Sequence, residues 1–291
     1  MANSVPHPVP YQGSKRRLAA EILALAPARA RVLYEPFAGS LAVTLAFAAH
    51  ERAARFVAGD ALAPLAALWG SIVERPAAVA DAYEALWASY RADDPFERVR
   101  AAFNRDRDPA KLLYLLARCV KAAVRFNGRG EFNQGVDRRR RGASPARVRA
   151  QVTLASALLA GRTTIVADDF ASTIATAEPG DLVYLDPPWE GTTVGRDHRY
   201  VSGLPRERLL DALADLDARG VPFLLSYDGS SGERRYGAPL PASLALRRVA
   251  LDGGRSSQAT LLGRDARTTE SLYVSRALRA QTSKRKPYAS G

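Results

Sequence analysis

The stretch DLVYLDPPW, residues Asp181–Trp189, is the part of the chain from which the fold is most directly predicted. Residues 182–185 are apolar and include β-branched valine and aromatic tyrosine, which predicts a short buried strand in a parallel sheet. The strand ends at the carboxylate of Asp186, and open α/β sheets bind their ligands at the carboxyl ends of strands. Pro187 and Pro188 donate no backbone N–H and hold Asp186 in an extended conformation.

These residues have two chemical interpretations. A carboxylate, a carbonyl with few competing donors and the flat ring of Trp189 would together suit a planar base that carries an amino group. The residues from Asp186 to Trp189 would equally suit an ordinary turn after a strand. The nonapeptide alone does not choose between these interpretations, so the rest of the chain has to decide.

Predicted strands and helices alternate on both sides of this stretch, which indicates an α/β fold. The expected strands lie at 31–34, 55–58, 164–166 and 223–227 and near 244–251 and 271–275; the expected helices lie at 41–50, 64–73, 145–159 and 206–219. A mainly helical region interrupts the alternation. We therefore expect a catalytic domain formed by residues 1–75 and 161–280, an inserted domain at 76–160 and a basic tail at 281–291.

Two motifs near the amino terminus resemble parts of a nucleotide site. Glu35-Pro-Phe-Ala-Gly39 links a strand to a helix, as in the first unit of nucleotide-binding α/β folds, but its single glycine is not a diphosphate fingerprint. Asp60 ends the next strand about twenty residues later, where such folds hydrogen-bond a ribose. Tyr11-Gln-Gly-Ser-Lys15, with Ser14 as the expected N-cap, is either a carboxylate-binding helix start or a plain capped helix.

The charge of the chain is strongly basic and unevenly distributed. There are 42 Lys and Arg against 30 Asp and Glu, a formal net charge of +12. Nine basic and two acidic residues lie between Lys121 and Ala150, so +7 of that charge falls within thirty residues. A concentrated basic segment favours a polyanionic partner.

Other classes of protein are disfavoured by the sequence. No apolar run approaches the roughly 20 residues that cross a bilayer, and the first ten residues lack the basic and apolar regions of a signal peptide. A single cysteine, Cys119, excludes an internal disulfide, and its apolar neighbours predict a packing role. We expect a soluble cytoplasmic protein that does not interact with membranes.

Residues 125–141 read RFNGRGEFNQGVDRRRR and are the best candidate for a nucleic-acid contact. Two glycines between aromatic flanks predict a hairpin tip or an irregular loop. Arginine and asparagine make bidentate contacts with base edges, whereas Phe126 and Phe132 would wedge between bases or pack. A solvated charged loop would have a similar composition, but we favour DNA binding. The candidate contacts are Arg125, Asn127, Arg129, Asn133, Arg138, Arg139, Arg140 and Arg141.

The order of the motifs resembles the D12 class of S-adenosylmethionine-dependent DNA adenine N6-methyltransferases, the Dam-like enzymes with the alpha order of motifs. The resemblance runs from about Val9 to Ser275 and rests on Tyr-Gln-Gly-Ser-Lys, Glu-Pro-Phe-Ala-Gly, Gly-Asp, Gly-Glu-Phe-Asn, Asp-Phe and Asp-Pro-Pro-Trp. It implies a Rossmann-like methyltransferase fold, with a mostly parallel seven-stranded sheet and helices on both faces. Residues 76–160 would then recognise the target in double-stranded DNA.

The resemblance also implies roles for the motif residues. The methyl donor S-adenosyl-L-methionine would be bound by Tyr11, Lys15, Glu35, Phe37, Gly39, Asp60, Asp169, Phe170 and Asp186. Of these, the aspartate after the second strand would bind the ribose, and the Asp-Phe pair would bind the adenine of the donor. The catalytic motif would be Asp186, Pro187, Pro188 and Trp189. No metal ion is implied.

The mechanism that the resemblance implies agrees with the chemistry of the opening stretch. The target base would be flipped out of the duplex at a cost of roughly a few kcal/mol, and Trp189 would stack on it. The Asp186 carboxylate and the Pro187 carbonyl would each accept one N–H of the amino group and localise its lone pair for attack on the sulfonium methyl. A C5-cytosine methyltransferase would need a nucleophilic cysteine, which Cys119 in its apolar setting does not supply.

The chain departs from the family at two positions. Trp189 stands where the catalytic motif usually has tyrosine, and Leu41 stands where many methyltransferases have a second glycine.

Two alternatives to adenine methylation remain: transfer to N4 of cytosine, and a catalytically silent DNA-binding protein. A cognate restriction endonuclease is a further candidate partner, a monomer is expected, and residues 190–202 are long enough for a lid.

Overall fold

The structure is a computed structural model that describes residues 5–89, 94–188, 204–231, 234–238, 240–255 and 267–283. Trp189, the expected lid at 190–202 and residues 284–291 of the expected basic tail lie outside the described residues.

The described strands form a single sheet. They are β1 (Ala30–Glu35), β2 (Ala53–Gly59), β3 (Thr163–Val166), β4 (Leu182–Leu185), β5 (Phe223–Ser231), β6 (Arg234–Tyr236), β7 (Arg247–Arg255) and β8 (Arg267–Val274). Their order is β3-β2-β1-β4-β5-β8-β7, and β6 pairs with the end of β5. The strands from β3 to β5 are parallel along this path, whereas β8 is antiparallel to both of its neighbours. The expected mostly parallel sheet is confirmed, with β6 as an addition that the sequence did not predict.

The described helices surround the sheet. They are α1 (Ala19–Leu25), α2 (Ala42–Ala49), α3 (Ala63–Glu74), α4 (Pro76–Ala88), α5 (Phe96–Asp106), α6 (Pro109–Arg118), α7 (Pro145–Leu159), α8 (Phe170–Ile174), α9 (Arg206–Ala218) and α10 (Arg276–Ser283). Short 3-10 helices lie at Lys15–Arg17, Val120–Ala122 and Ala242–Leu244.

Strand β4 explains why helices cover both faces. Its four side chains are all fully buried. Leu182 and Tyr184 belong to the core shared with α2 and α3, whereas Val183 and Leu185 belong to a second core shared with α8 and α9. Burying each large apolar side chain contributes roughly 1.5–3 kcal/mol, so the apolar run stabilises a central strand. Together with the strand order, the two covered faces confirm the expected Rossmann-like fold.

The strand order reverses between β1 and β4, which places the candidate site. Strand β1 pairs with β2 on one side and with β4 on the other. Ligands of open α/β sheets bind in the crevice outside the carboxyl ends of strands at such a switch point. Glu35 ends β1 and Asp186 follows β4, so both carboxyl groups lie at that crevice.

The helical region packs directly on the sheet layer. Helix α6 contacts α3, α4 and α5, and α4 contacts α7. The buried leucines of α6, such as Leu112 and Leu116, belong to the same core as Leu182 and Tyr184 of β4. The boundaries at 76 and 160 stay a prediction, because the apolar core is continuous across them.

Local details differ from the sequence predictions. Ser14 does not cap the first helix, because the chain first makes the 3-10 turn at Lys15–Arg17 and Ser14 accepts a hydrogen bond from the Ser40 hydroxyl instead. Helix α10 was not predicted. None of the helices in the described part of the chain is long and apolar enough to cross a membrane.

Candidate active site

Asp186 sits immediately beyond β4, as the sequence predicts. Its side chain keeps about a fifth of its surface exposed, Pro187 is buried and Pro188 is partly buried. Because neither proline has an N–H, no local backbone donor follows Asp186 to compete for its carboxylate. Trp189, the predicted stacking residue, is outside the described residues.

The buried ammonium of Lys15 links the amino-terminal loop to this carboxylate. Its Nζ lies 2.8 Å from Asp186 Oδ2 and 3.4 Å from Glu270 Oε2, and it donates to the Gly13 carbonyl at 3.2 Å. Burial alone would lower the pKa of Lys15, but the charges of Asp186 and Glu270 raise it above its usual value. The lysine is therefore a buried cation that holds the Asp186 carboxylate in place.

The pKa of Asp186 is set by opposing effects. Burial and the charge of Glu270 raise it, the ammonium of Lys15 lowers it, and the net result is a pKa of about 6. The charges around Lys15 and Asp186 differ. Two carboxylates both raise the pKa of Lys15, whereas one cation and one like charge act in opposite directions on the pKa of Asp186. At neutral pH Asp186 is an ionised acceptor, as clamping an amino group requires.

Glu35 differs from Asp186 in its protonation state near neutral pH. Its side chain is buried, and its Oε2 accepts hydrogen bonds from the backbone N–H and the hydroxyl of Thr44 in the first turn of α2. Burial raises the pKa of Glu35 to about 8, although both bonds from Thr44 lower it. Its predicted contact with the methyl donor stays a prediction, and its visible role is to join β1 to α2.

The turn between β1 and α2 brings three of the predicted donor-binding residues together. Gly39 has φ +47°, and a Cβ there would lie 3.1 Å from the ring of Tyr11. Asp60 supports the turn by accepting from Gly39 N at 3.1 Å and from Leu62 N at 2.9 Å, and the indole N–H of Trp69 donates to the Gly39 carbonyl. Burial raises the pKa of Asp60 to about 6. Tyr11, Gly39 and Asp60 are thus brought together as predicted.

Leu41 explains how the turn accommodates the missing second glycine. It adopts left-handed backbone angles, φ 50° and ψ 30°, at the start of α2. Such angles cost a non-glycine residue roughly 1–2 kcal/mol. The side chain of Leu41 is fully buried in the core, which offsets that cost.

Two aromatic rings form a further part of the crevice. The rings of Phe37 and Phe170 stack with centroids 5.3 Å apart and 22° between their planes. The guanidinium of Arg208 lies over the Phe170 ring at 5.4 Å, and its Nη2 lies 2.7 Å from Asp169 Oδ1. Asp169 also caps α8 by accepting from Ala171 N. The predicted Asp-Phe pair and Phe37 therefore converge, although one oxygen of Asp169 already has two partners.

The basic segment contains a hairpin that is ordered from within. Phe126 and Phe132 face each other across an antiparallel bridge, and both pack edge-on or tilted against Phe103. Asn127 Oδ1 accepts from the backbone N–H groups of Arg129 and Glu131. The two phenylalanines thus pack, which settles the alternative left open by the sequence. The visible role of Asn127 is to shape the turn, and its base contact stays a prediction.

The arginine run follows this hairpin on the surface. Arg125 is partly buried, whereas Arg129, Asn133 and the whole run 138–141 are exposed. Arg139 pairs with Asp137, and Arg140 donates to the Cys119 carbonyl. Arg138 and Arg141 extend the exposed basic surface.

The buried side chain of Arg118 supports the arginine run at 138–141 from the protein interior. Arg118 is fully buried, forms two hydrogen bonds with the Asp94 carboxylate at 2.6 and 3.0 Å, and donates to the Arg140 carbonyl.

The neighbouring Cys119 has a protonated thiol. Burial raises the pKa of Cys119 to about 12, so the thiol stays protonated, as its predicted packing role requires.

The amino-terminal loop also contacts the chain just before the basic hairpin. Gln12 N donates to the Ala122 carbonyl at 3.1 Å, three residues before Arg125. Lys121 and Ala122 both have positive φ, 59° and 51°, so the backbone bends sharply at this contact. The loop that delivers Lys15 to Asp186 is therefore hydrogen-bonded to the chain that leads into the basic segment.

Sequence reasoning missed three residues that the structure brings to these sites. Glu270 lies in the last strand, far from every motif, and nothing in its neighbourhood signals a role. Arg208 is one of several arginines in an amphipathic helix. Arg118 precedes Cys119 in an apolar run, and a buried charge there could have been noticed because it needs an acidic partner.

Comparison with known proteins agrees with this arrangement. A family model for the D12 class N6 adenine-specific DNA methyltransferases matches residues 11–275. The chain is 27% identical over 226 residues to the type II methyltransferase M.FokI of Planomicrobium okeanokoites, and the match covers 75% of this chain and 35% of that protein. It is 28% identical over 162 residues to the DNA N-6-adenine-methyltransferase of Escherichia phage P1, covering 51% of this chain and 21% of that protein.

A shorter relative matches along most of its length. The chain is 25% identical over 227 residues to the retron Ec67 DNA adenine methylase of Escherichia coli, and the match covers 76% of each. The chain thus spans about a third of M.FokI and about a fifth of the phage enzyme. Because the family match begins at Tyr11 and continues through the Asp-Pro-Pro motif into the last strand, the chain belongs to the D12 class of N6 adenine-specific DNA methyltransferases.

Proposed function

We propose that this protein transfers the methyl group of S-adenosyl-L-methionine to N6 of an adenine flipped out of duplex DNA. The observation that carries the proposal is the ionised Asp186, held by buried Lys15 at the switch point of the sheet and followed by two prolines. A carboxylate in this position can accept an amino N–H of a base. S-adenosyl-L-methionine would supply an electrophilic methyl group on a sulfonium.

The residues of the crevice fit this donor. Gly39 lets the ring of Tyr11 pack closely against the backbone of the turn, so an aromatic ring lines this part of the crevice. The partly buried ring of Phe37, which stacks on Phe170, offers apolar surface for a nucleobase, and Asp60 offers a carboxylate for ribose hydroxyls. The acidic groups around Lys15 favour a cationic donor, because opposite charges attract strongly where water is excluded. These features support donor binding at the ends of β1, β2 and β4.

The chain's own groups would then prepare the amino group. Asp186 and the Pro187 carbonyl would each accept one N6–H, drawing the nitrogen out of conjugation with the ring. Lys15 keeps one oxygen of Asp186 engaged, so the other oxygen is left for the base. Holding the reacting groups in line supplies much of the rate enhancement. Trp189 is the proposed stacking partner, worth roughly 1–3 kcal/mol per base.

The basic segment is the proposed DNA surface. The exposed arginines at 138–141 would neutralise phosphates, and the hairpin at 125–133 would approach base edges. The hydrogen bond between Gln12 and Ala122 supports coupling of this surface to the site, because it joins the loop carrying Lys15 to the start of the segment. We further propose that residues 76–160 form the recognition domain.

Biological context is inferred from the relatives. The similarity to M.FokI, a type II methyltransferase, favours a restriction endonuclease partner. DNA as substrate favours action in the cytoplasm of a bacterium or phage host. A monomer is the simplest state, since one chain contains both the site and the basic surface.

The test uses Asp186→Ala with labelled S-adenosyl-L-methionine and unmethylated genomic DNA. We expect transfer to fall to background while duplex binding stays close to wild type. A wild-type protein that binds DNA but never incorporates label would favour the silent DNA-binding alternative. Label recovered only in N4-methylcytosine would favour the cytosine alternative.

A further inference from the structure

Glu270 lies within the charged cluster, although no motif contains it. It is in β8, where it pairs with Gly229 of β5 and Leu251 of β7. Its Oε2 lies 3.4 Å from Lys15 Nζ, on the same ammonium that contacts Asp186 Oδ2 at 2.8 Å. The antiparallel end of the sheet therefore delivers a second carboxylate to the lysine.

One carboxylate oxygen of Glu270 faces the interior of the protein. Glu270 Oε2 is buried and has no hydrogen-bond partner within the described part of the chain. Glu270 Oε2 instead forms an ion pair with Lys15, and the Glu270 side chain as a whole is 17% exposed. The interaction that the structure gives this buried oxygen is therefore the one with Lys15.

The charged and titratable groups around Asp186 can be assigned among the described residues. They are Lys15 from the amino-terminal loop, Glu35 at the end of β1, Tyr184 of β4 and Glu270 of β8. Burial raises the pKa of Glu35 to about 8 and that of Tyr184 well above its usual value, so both are largely neutral near pH 7. The balance on Asp186 is therefore set by Lys15 and Glu270.

We propose that Glu270 is a positioning residue that acts through Lys15, dividing the charge of the ammonium between two carboxylates and so keeping Asp186 both oriented and a strong hydrogen-bond acceptor. The inference rests on the proposed methyl transfer. With Glu270 present, the ammonium does not neutralise Asp186 alone, and the aspartate keeps more of its attraction for amino protons. Without that charge, the ammonium would be drawn more strongly to Asp186, and the clamp would weaken.

The experiment compares Glu270→Gln, which keeps the shape and removes the charge, with Glu270→Asp, which keeps the charge. Glu74→Gln, an exposed glutamate at the end of α3, is the matched control. Single-turnover methyl transfer to unmethylated genomic DNA is measured from pH 5 to 9, and donor binding is measured by calorimetry with S-adenosyl-L-methionine.

For Glu270→Gln we expect the plateau rate to fall on the order of tenfold, as for other residues that orient a reacting group, with donor affinity nearly unchanged. The acid limb of the profile should move to lower pH by about one unit, because removing a nearby negative charge lowers the pKa of Asp186. Glu270→Asp should keep the wild-type limb, and Glu74→Gln should match wild type throughout.

Three results would overturn the inference. One is a plateau loss with an unmoved acid limb, which indicates a structural role; another is a large loss of donor affinity with an unchanged rate, which indicates direct contact with the donor. The third result would come from carbon-detected NMR titration of the wild-type protein, which does not need activity. It would be that the signals of Glu270 and of the Lys15 ammonium do not respond when Asp186 titrates. If wild-type protein transfers no methyl group, the proposed function fails and this titration alone decides the coupling.

Discussion

Glu35→Gln tests the electrostatics of the switch point, because glutamine imitates a protonated glutamate. The side chain is buried and its pKa is raised to about 8 from the ordinary 4.5. A carboxyl whose pKa is higher in the folded state stabilises the fold at low pH, and this stabilisation is lost as the pH rises through the folded-state value. Wild-type protein should therefore lose stability between pH 5 and 8.5, beyond what its other groups cause.

The size of the effect follows from the two pKa values. Linkage between 4.5 and about 8 gives a loss of roughly 3–4 kcal/mol across that pH range. Glu35→Gln lacks this titration. Over the same pH range its free energy of unfolding should therefore fall by roughly 3–4 kcal/mol less than that of wild type. The contribution of Asp60, whose pKa is also raised by burial, is present in both proteins and cancels in the difference.

Urea unfolding of both proteins at several pH values measures the effect directly. The amide oxygen of glutamine can still accept both hydrogen bonds from Thr44, so the variant should fold. Parallel pH dependences would refute the reasoning, because they would show that Glu35 is ionised in the folded protein at neutral pH. A neutral Glu35 also predicts that the variant binds S-adenosyl-L-methionine nearly as well as wild type.

Three further predictions follow from other contacts. Arg208→Ala should weaken donor binding by calorimetry more than it lowers the rate at saturating donor, because the guanidinium supports Phe170 and Asp169; unchanged affinity would remove it from the donor site. Leu41→Gly should destabilise the protein by about 2–3 kcal/mol in urea unfolding, because losing a buried leucine outweighs relief of the left-handed strain; a more stable variant would contradict this. Neutralising 138–141 should weaken duplex binding and flatten its salt dependence by about one unit of slope per lost phosphate contact; an unchanged slope would exclude the run from the interface.

Much of the fold could be predicted because the apolar strands are short and bounded by clear turns. Strand β4 and helix α7 match their predicted bounds within a residue, and both switch-point carboxyls follow from strand ends. The amino-terminal helix was predicted one turn too early. Ser14 has the composition of an N-cap, but its hydroxyl bonds Ser40 in the neighbouring turn, a tertiary contact that local propensity does not contain.

The site was predicted as a set of motifs, but not as a charge balance. Lys15 and Asp186 were both singled out, yet their contact depends on how the amino-terminal loop folds over β4. Glu270 could not be predicted, because it reaches Lys15 only through the antiparallel pairing of β8 with β5, across a long separation in sequence. The state of Glu35 likewise depends on complete burial, which a single motif does not reveal.

The most direct test of the central claim is the identity of the methylated nucleoside. Wild-type protein and Asp186→Ala are incubated with labelled S-adenosyl-L-methionine and unmethylated duplex DNA, and the DNA is digested and separated into nucleosides. The account predicts label in N6-methyldeoxyadenosine with the wild type and none with the variant, although both bind the duplex. Label in another nucleoside, or equal label from the variant, would contradict it.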